Sequence, residues 1–224
     1  MSGVQTRIRQ PAPDRYDSIE SRWVPIIALL LMLGLLAVLP GRYRVAPEWV
    51  AFATVLLPVG SMIAFMRFRT ELWRKIERLA IFVFVAIAEV LLLISLYHLI
   101  LSIVGRAGQI TGLTLLASAI VIWVGNFLLF SLVYWSIDGG GPEARAAGQS
   151  SDWYFPQQSL PDRYGVWRPV FLDYLYLAYE TATAFSSTDD MPLTQRAKLL
   201  MMGESALSLI TIVIVAARAV NILG

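Results

Sequence analysis

The sequence contains no cysteine, which excludes disulfides, iron–sulfur clusters and thiol catalysis together. It contains one histidine, His98, so a histidine-based zinc site lacks its ligands and no metal is expected. Charge is scarce: 15% of the 224 residues are Asp, Glu, Lys or Arg, against about 25% in an ordinary soluble domain. The net charge of +2 gives no extended basic field, so no nucleic-acid partner is expected. Gly139, Gly140 and Gly141 lack the following Lys-Ser/Thr of a phosphate-binding loop and sit in no strand–helix context. No cofactor is expected. Asp173, Glu180 and Glu204 fit no known catalytic spacing, so the chain is not expected to be an enzyme.

What is present is apolar and comes in blocks: 57% of residues are hydrophobic. No charged residue stands between Arg106 and Asp138, and that run exceeds the roughly 20 residues needed to cross the hydrocarbon of a bilayer. Spans are expected at 23–39, 49–66, 79–104 and 111–135, with a last helix at 195–223. Pro58 and Gly60 inside the second are tolerable where neighbouring groups satisfy the freed backbone. The first block lacks a small-residue cleavage site and reads as a retained span. Residues 170–185 are helical in pattern but reach only about 24 Å at 1.5 Å per residue, and they carry Asp173 and Glu180. That suits a re-entrant half-helix. The expected fold is therefore an all-α integral membrane protein of five transmembrane helices plus a short re-entrant (or sixth) helix.

Four regions follow: a cytoplasmic tail at 1–22, a four-helix transmembrane region at 23–136, a membrane-surface loop at 137–169, and a pore-loop-like region with the last helix at 170–224. Trp153, Tyr154, Phe155 and Trp167 in the loop are residue types that favour the headgroup layer. Orientation follows from Lys and Arg near the span ends. Arg7, Arg9, Arg15 and Arg22 precede the first span, and five of the twelve residues at 67–78 are basic; the other loops carry only Arg42 and Arg44, or Arg106. The N-terminus, 67–78 and 138–169 are thus expected on the cytoplasmic side of a cell membrane, with 67–78 as an interfacial basic helix.

The order Glu180-Thr181-Ala182-Thr183-Ala184-Phe185-Ser186-Ser187-Thr188-Asp189, followed by Pro192, Thr194 and Lys198, resembles the pore loop of potassium channels over about 175–202. The resemblance sets Glu180 to Thr183 on the end of the pore helix, Asp189 on the terminal Asp of the filter, and Pro192 and Thr194 on the entry to the inner helix. Both filter glycines and the filter threonine are missing, and Ala184 stands in the latter's place. The expectation is a degenerate filter without potassium selectivity. Thr183, Ala184, Phe185, Ser186, Ser187, Thr188 and Asp189 are the pore candidates, and Glu180 with Asp189 braces the loop. The resemblance implies a homo-oligomer, a tetramer, conducting monovalent cations across the lipid bilayer. It also implies entry from the outer face, whereas the charge count places this loop on the cytoplasmic side. An inverted pore loop, a different span count, a coincidental match, or a full sixth crossing at 170–186 would each reconcile the two.

Tyr134-Trp135-Ser136-Ile137-Asp138, Gly140-Gly141-Pro142, Trp167-Arg168-Pro169, Asp173-Tyr174-Leu175-Tyr176 and Arg218-Ala219-Val220-Asn221 resemble bacterial inner-membrane proteins of uncharacterised role. That resemblance implies a location and no activity. Glu89, Asn126, Glu204 and Arg218 are polar residues within apolar helices, where a charge costs at least ~2.5–3.5 kcal/mol near the bilayer centre. Each is a candidate for transport or for structural hydrogen bonding; Arg218 is near enough to the chain end to snorkel, and Asn126 and His98 suit interhelical bonds. The rival to a channel is a structural or accessory membrane protein whose loop forms no conduit.

Overall fold

The computed structural model describes residues 20–38, 47–104, 112–164, 167–183 and 190–223. Among them the chain is all-α apart from one two-residue strand pair. The long helices are α1 (Trp23–Val38), α2 (Glu48–Phe68), α3 (Glu71–Val104) and α4 (Gly112–Ile137). Two short helices, α5 (Pro142–Ala146) and α6 (Pro161–Tyr164), precede α7 (Phe171–Thr183) and α8 (Gln195–Leu223). Strands β1 (Trp153–Tyr154) and β2 (Met191–Pro192) pair antiparallel, Trp153 opposite Pro192 and Tyr154 opposite Met191. Three helical stretches are long and apolar enough to cross a membrane: Glu71–Leu101, Leu116–Gly140 and Gln195–Ile214. Trp23–Leu35 and Phe52–Phe68 are shorter apolar helices.

Local chemistry sets the breaks. Arg69 takes a left-handed conformation (φ 48°) and its N–H caps α2 on the Phe65 carbonyl at 2.8 Å. Thr70 Oγ1 then accepts the Trp73 N–H at 3.4 Å and opens the next helix. Most of the basic run expected as a separate interfacial helix is therefore the first two turns of α3, a helix of 34 residues. Pro58 lies inside α2 without ending it, and the Ser61 hydroxyl donates to its carbonyl at 2.8 Å.

α4 is the central helix, packed by α1, α3, α7 and α8. The core between them is apolar: Leu29 and Met32 from α1, Phe84 and Leu99 from α3, Leu129 and Leu132 from α4, Leu177 and Ala178 from α7. The outward faces are apolar too. Ile27 and Leu31, Val83 and Val90, Leu209 and Val213 are all exposed. A bundle with greasy residues inside and out, and no polar long face among the described residues, is what a lipid solvent permits.

The path of the chain can be followed from pairs of residues that meet. Arg22 at the start of α1 contacts Phe65 near the end of α2, Glu77 near the start of α3 and Trp135 near the end of α4. These four ends, with the first turn of α7 at Phe171 against Trp135, form one polar end of the bundle. α7 runs from there antiparallel to α4, and the Trp123 indole donates to its Ala182 carbonyl at 3.3 Å. Trp123 stands fifteen residues before Asp138, roughly 22 Å along α4. Yet β2, at 191–192, is again at the polar end, paired with β1 beside Asp152. Both ends of the segment 171–191 thus belong to the same end of the bundle, and α8 sets out from it a second time.

Candidate functional site

The polar end is built on charges drawn from distant parts of the chain. Arg22, only 1% exposed, donates from Nε to Glu77 at 3.1 Å, from Nη1 to the Glu20 carbonyl at 2.8 Å, and from Nη2 to Glu143. Its guanidinium also lies over the rings of Phe65 and Trp135, at 4.9 and 5.3 Å. A cation removed from water in this way must be paired and hydrogen-bonded to be tolerable. The Glu20 carboxylate accepts the Trp135 indole N–H at 2.7 Å and the Phe171 backbone N–H, so it ties α1 to α4 and to the start of α7. Burial pushes the Glu20 carboxyl above its ordinary range, against the pull of those hydrogen bonds and of Arg145 and Arg22.

The glycine run after α4 folds as a 3₁₀ turn at Asp138–Gly140, with Gly139 at φ 57°, Gly140 at φ 91° and Gly141 at φ 98°. Those angles are cheap only for glycine. They turn the chain so that Arg145 on α5 reaches back to the carbonyls of Trp135 and Asp138, at 2.7 and 3.0 Å. The Asp138 carboxylate accepts the Ser151 hydroxyl, the Asp152 N–H and the Tyr174 hydroxyl. Asp152 accepts the Gly139 N–H at 3.2 Å, the Thr194 hydroxyl at 2.7 Å and the Arg196 guanidinium. Burial alone would raise the Asp152 carboxyl, but the hydrogen bonds and charge of Arg196, with those from Thr194 and Gly139, outweigh it and lower its pKa. Thr194 closes the circuit as the first cap of α8, its Oγ1 accepting the Ala197 N–H at 3.3 Å. Both arms of the 171–191 segment are therefore clamped, one through Glu20 and Tyr174, the other through Asp152.

A half-open cleft of about 310 Å³ enters this end beside Arg22, Arg74, Glu77, Arg78 and Glu143. Trp153 and Phe155 are buried at 0% and 2% exposure. Trp153 packs on Tyr134 and Phe155 on Tyr174.

Deeper along the bundle lies a second polar group. The Tyr134 hydroxyl donates to Glu204, which is fully buried. Asn126 Nδ2 donates to Ser208 Oγ at 2.9 Å and to the Glu204 carbonyl at 3.4 Å. Glu89, Asn126 and Thr211 line a small half-open pocket with Leu92, Leu96, Ile122 and Leu207. Three of the four polar residues singled out within apolar helices, Glu89, Asn126 and Glu204, thus come together; the side chain of Arg218 lies outside the described residues.

Of the pore candidates, Thr183 is half-buried at the end of α7, its hydroxyl donating to the Glu180 carbonyl at 3.1 Å. Ala184, Phe185, Ser186, Ser187, Thr188 and Asp189 lie outside the described residues. So does the Glu180–Asp189 brace, although Glu180 Oε2 is buried without a hydrogen-bond partner among the described residues. Sequence reading missed Glu20, Arg22, Glu77, Asp138, Arg145, Asp152 and Arg196 as one network. The available signal was the density of charge within a few residues of each apolar block on the basic side, which was read as topology alone. Among the described residues no group of three or more His, Cys, Asp or Glu is arranged to hold a metal ion. The chain matches no family model, no curated protein and no solved structure.

Proposed function

We propose that this chain is a channel-like, multispanning cell-membrane protein. In this reading α1, α2, α3, α4 and α8 make five crossings, and the segment from α7 to β2 is a re-entrant pore loop with a degenerate filter. The observation that carries it is the course of 171–191. A helix of 13 residues enters the bundle from the polar end, its far end is hydrogen-bonded to Trp123, and the chain is back at the polar end by Met191. Non-helical backbone at membrane depth is tolerated only inside protein or beside a water-filled cavity, which is the setting a pore loop requires. The hydroxyl-rich order Thr183 to Thr188, ending in Asp189, suits a cation path.

The side of entry follows from charge. Arg22, Arg67, Arg74, Lys75 and Arg78 gather at the polar end, which under the positive-inside rule faces the cytoplasm. The pore loop is then inverted relative to that of potassium channels. The loss of both filter glycines argues against potassium selectivity, and a homo-oligomer, by resemblance a tetramer, would complete the path around Asp189.

The test is purification in mild detergent followed by flux of monovalent cations in liposomes. A symmetric oligomer whose flux falls on Asp189→Asn supports the reading. A monomer without flux overturns it in favour of a structural or accessory membrane protein. That second reading is favoured by the polar end itself, where Arg22 is buried against Glu77 and Arg145 against the Asp138 carbonyl.

A further inference from the structure

The cavity between α3, α4 and α8 has a lining that its own residues leave chemically incomplete. Asn126 is 4% exposed, and its hydrogen bonds to Ser208 and to the Glu204 carbonyl are both made by the amide nitrogen. Its Oδ1, buried, has no donor among the described residues. Behind this lining, the fully buried Glu204 has Oε2 engaged by Tyr134 and Oε1 unpaired among the described residues. The Thr211 hydroxyl spends its proton on the Leu207 carbonyl at 2.9 Å, so only its oxygen lone pairs remain. Glu89 faces the same cavity from α3, twelve residues and about 18 Å beyond Glu77 along the helix. No Lys, Arg or His pairs with Glu89 or Glu204 among the described residues.

With Glu89 ionised, the pocket presents acceptors and, among the described residues, no free donor, and it does so between three helical stretches long and apolar enough to cross a membrane. An unpaired acceptor of this kind costs about 1–3 kcal/mol, more for a carboxylate. An anion or a hydrogen-bond acceptor would add to the deficit; a cation would remove it. The donor atoms are all oxygen, from carboxylate, amide and hydroxyl, a set suited to hard ions rather than transition metals. One carboxylate lines the cavity directly, which matches a single positive charge.

We propose that Glu89 and Asn126 Oδ1, with the Thr211 hydroxyl, form an intramembrane binding site for one alkali-metal cation of the sodium class. Glu204 lies behind the site and holds Asn126 through its backbone carbonyl. The proposal does not rest on the pore-loop reading, because it involves neither 184–189 nor conduction.

The test uses the full chain in mild detergent and a hydrophobic carbodiimide, which modifies protonated carboxyls in apolar surroundings. Modification of Glu89 is read by mass spectrometry at fixed pH and ionic strength while choline is replaced by sodium. The expected result is a several-fold slowing of Glu89 modification by sodium, with a parallel rise in unfolding temperature. Asn126→Ala is expected to move the half-protecting sodium concentration up at least about tenfold, equivalent to about 1.4 kcal/mol. The wild-type series decides on its own should that variant fold poorly. If neither sodium, lithium nor potassium alters modification or unfolding temperature, the carboxyl binds only a proton and the cation site is overturned. Equal protection in wild type and Asn126→Ala overturns the assigned ligands.

Discussion

Arg22 stands one residue before the first apolar helix, where a snorkelling side chain would ordinarily reach water, and is instead enclosed by Glu77, Glu143, Phe65 and Trp135. Removing one partner of such a group leaves the others charged and buried, which typically costs about 3–5 kcal/mol. Arg22→Ala is accordingly expected to lower the unfolding midpoint sharply, and more than Arg74→Ala, whose partner Glu71 is solvent-exposed and whose pair is worth at most about 1 kcal/mol. Thermal unfolding of the two variants in the same detergent checks this. Asp152 gives a pH dependence of definite sign. Its pKa is lower in the fold than its ordinary 3.8, so its contribution is complete above that value and is lost as pH falls through the lowered one. The stability difference between wild type and Asp152→Asn should stay constant from neutral pH down to about pH 5 and shrink in stronger acid. These partners could not be read from the sequence. Arg22 and Glu77 are 55 residues apart, and Glu20 and Phe171 are 151 apart.

The elements were more legible, for a reason that can be stated element by element. α8 was expected at 195–223 and is found at Gln195–Leu223, because an apolar run preceded by Pro192 and a capping Thr194 leaves little choice of start. α7 was expected at 170–185 and spans Phe171–Thr183. The basic segment at 67–78 was less legible: its charge pattern spoke of an interface, whereas the break between helices depends on one left-handed residue, Arg69. The loop after α4 shows the same limit. Its glycines announced a turn but not that Gly139 passes close to the chain. A Cβ there would lie 3.0 Å from Arg145 Cγ and 3.2 Å from the Ser150 carbonyl oxygen, in a conformation that costs a non-glycine residue roughly 1–2 kcal/mol. Gly139→Ala should therefore destabilise by at least that amount and loosen the Asp138–Asp152 contact. Gly148→Ala, at φ 85° but with open space around it, should cost the backbone strain alone. Comparing their denaturation midpoints separates sterics from strain.

At the scale of the whole molecule, the basic end gathers the start of α1, the α2–α3 junction and the segment after α4, so a single side of the membrane should see all three. The absence of native cysteine makes this directly measurable. Single cysteines at Ser150 and at Arg74 should react with an impermeant maleimide only from the cytoplasmic face in oriented vesicles. Labelling of Thr188→Cys from that same face, slowed by its depth, is expected of a re-entrant loop; labelling from the opposite face alone would make 170–186 a sixth crossing. By itself the sequence determined that this is a helical protein with segments long and apolar enough to cross a membrane. Run length and scarcity of charge decide that much, because hydrocarbon offers the backbone no partner but itself. Only the tertiary structure decided which charges meet and where the chain turns back. Glu89, Asn126 and Glu204 lie on three different helices, and the return of 171–191 to its own starting end is recorded in a strand pair formed by residues 37 or more positions apart. Such meetings depend on how the helices pack, a property that no local pattern of residues carries.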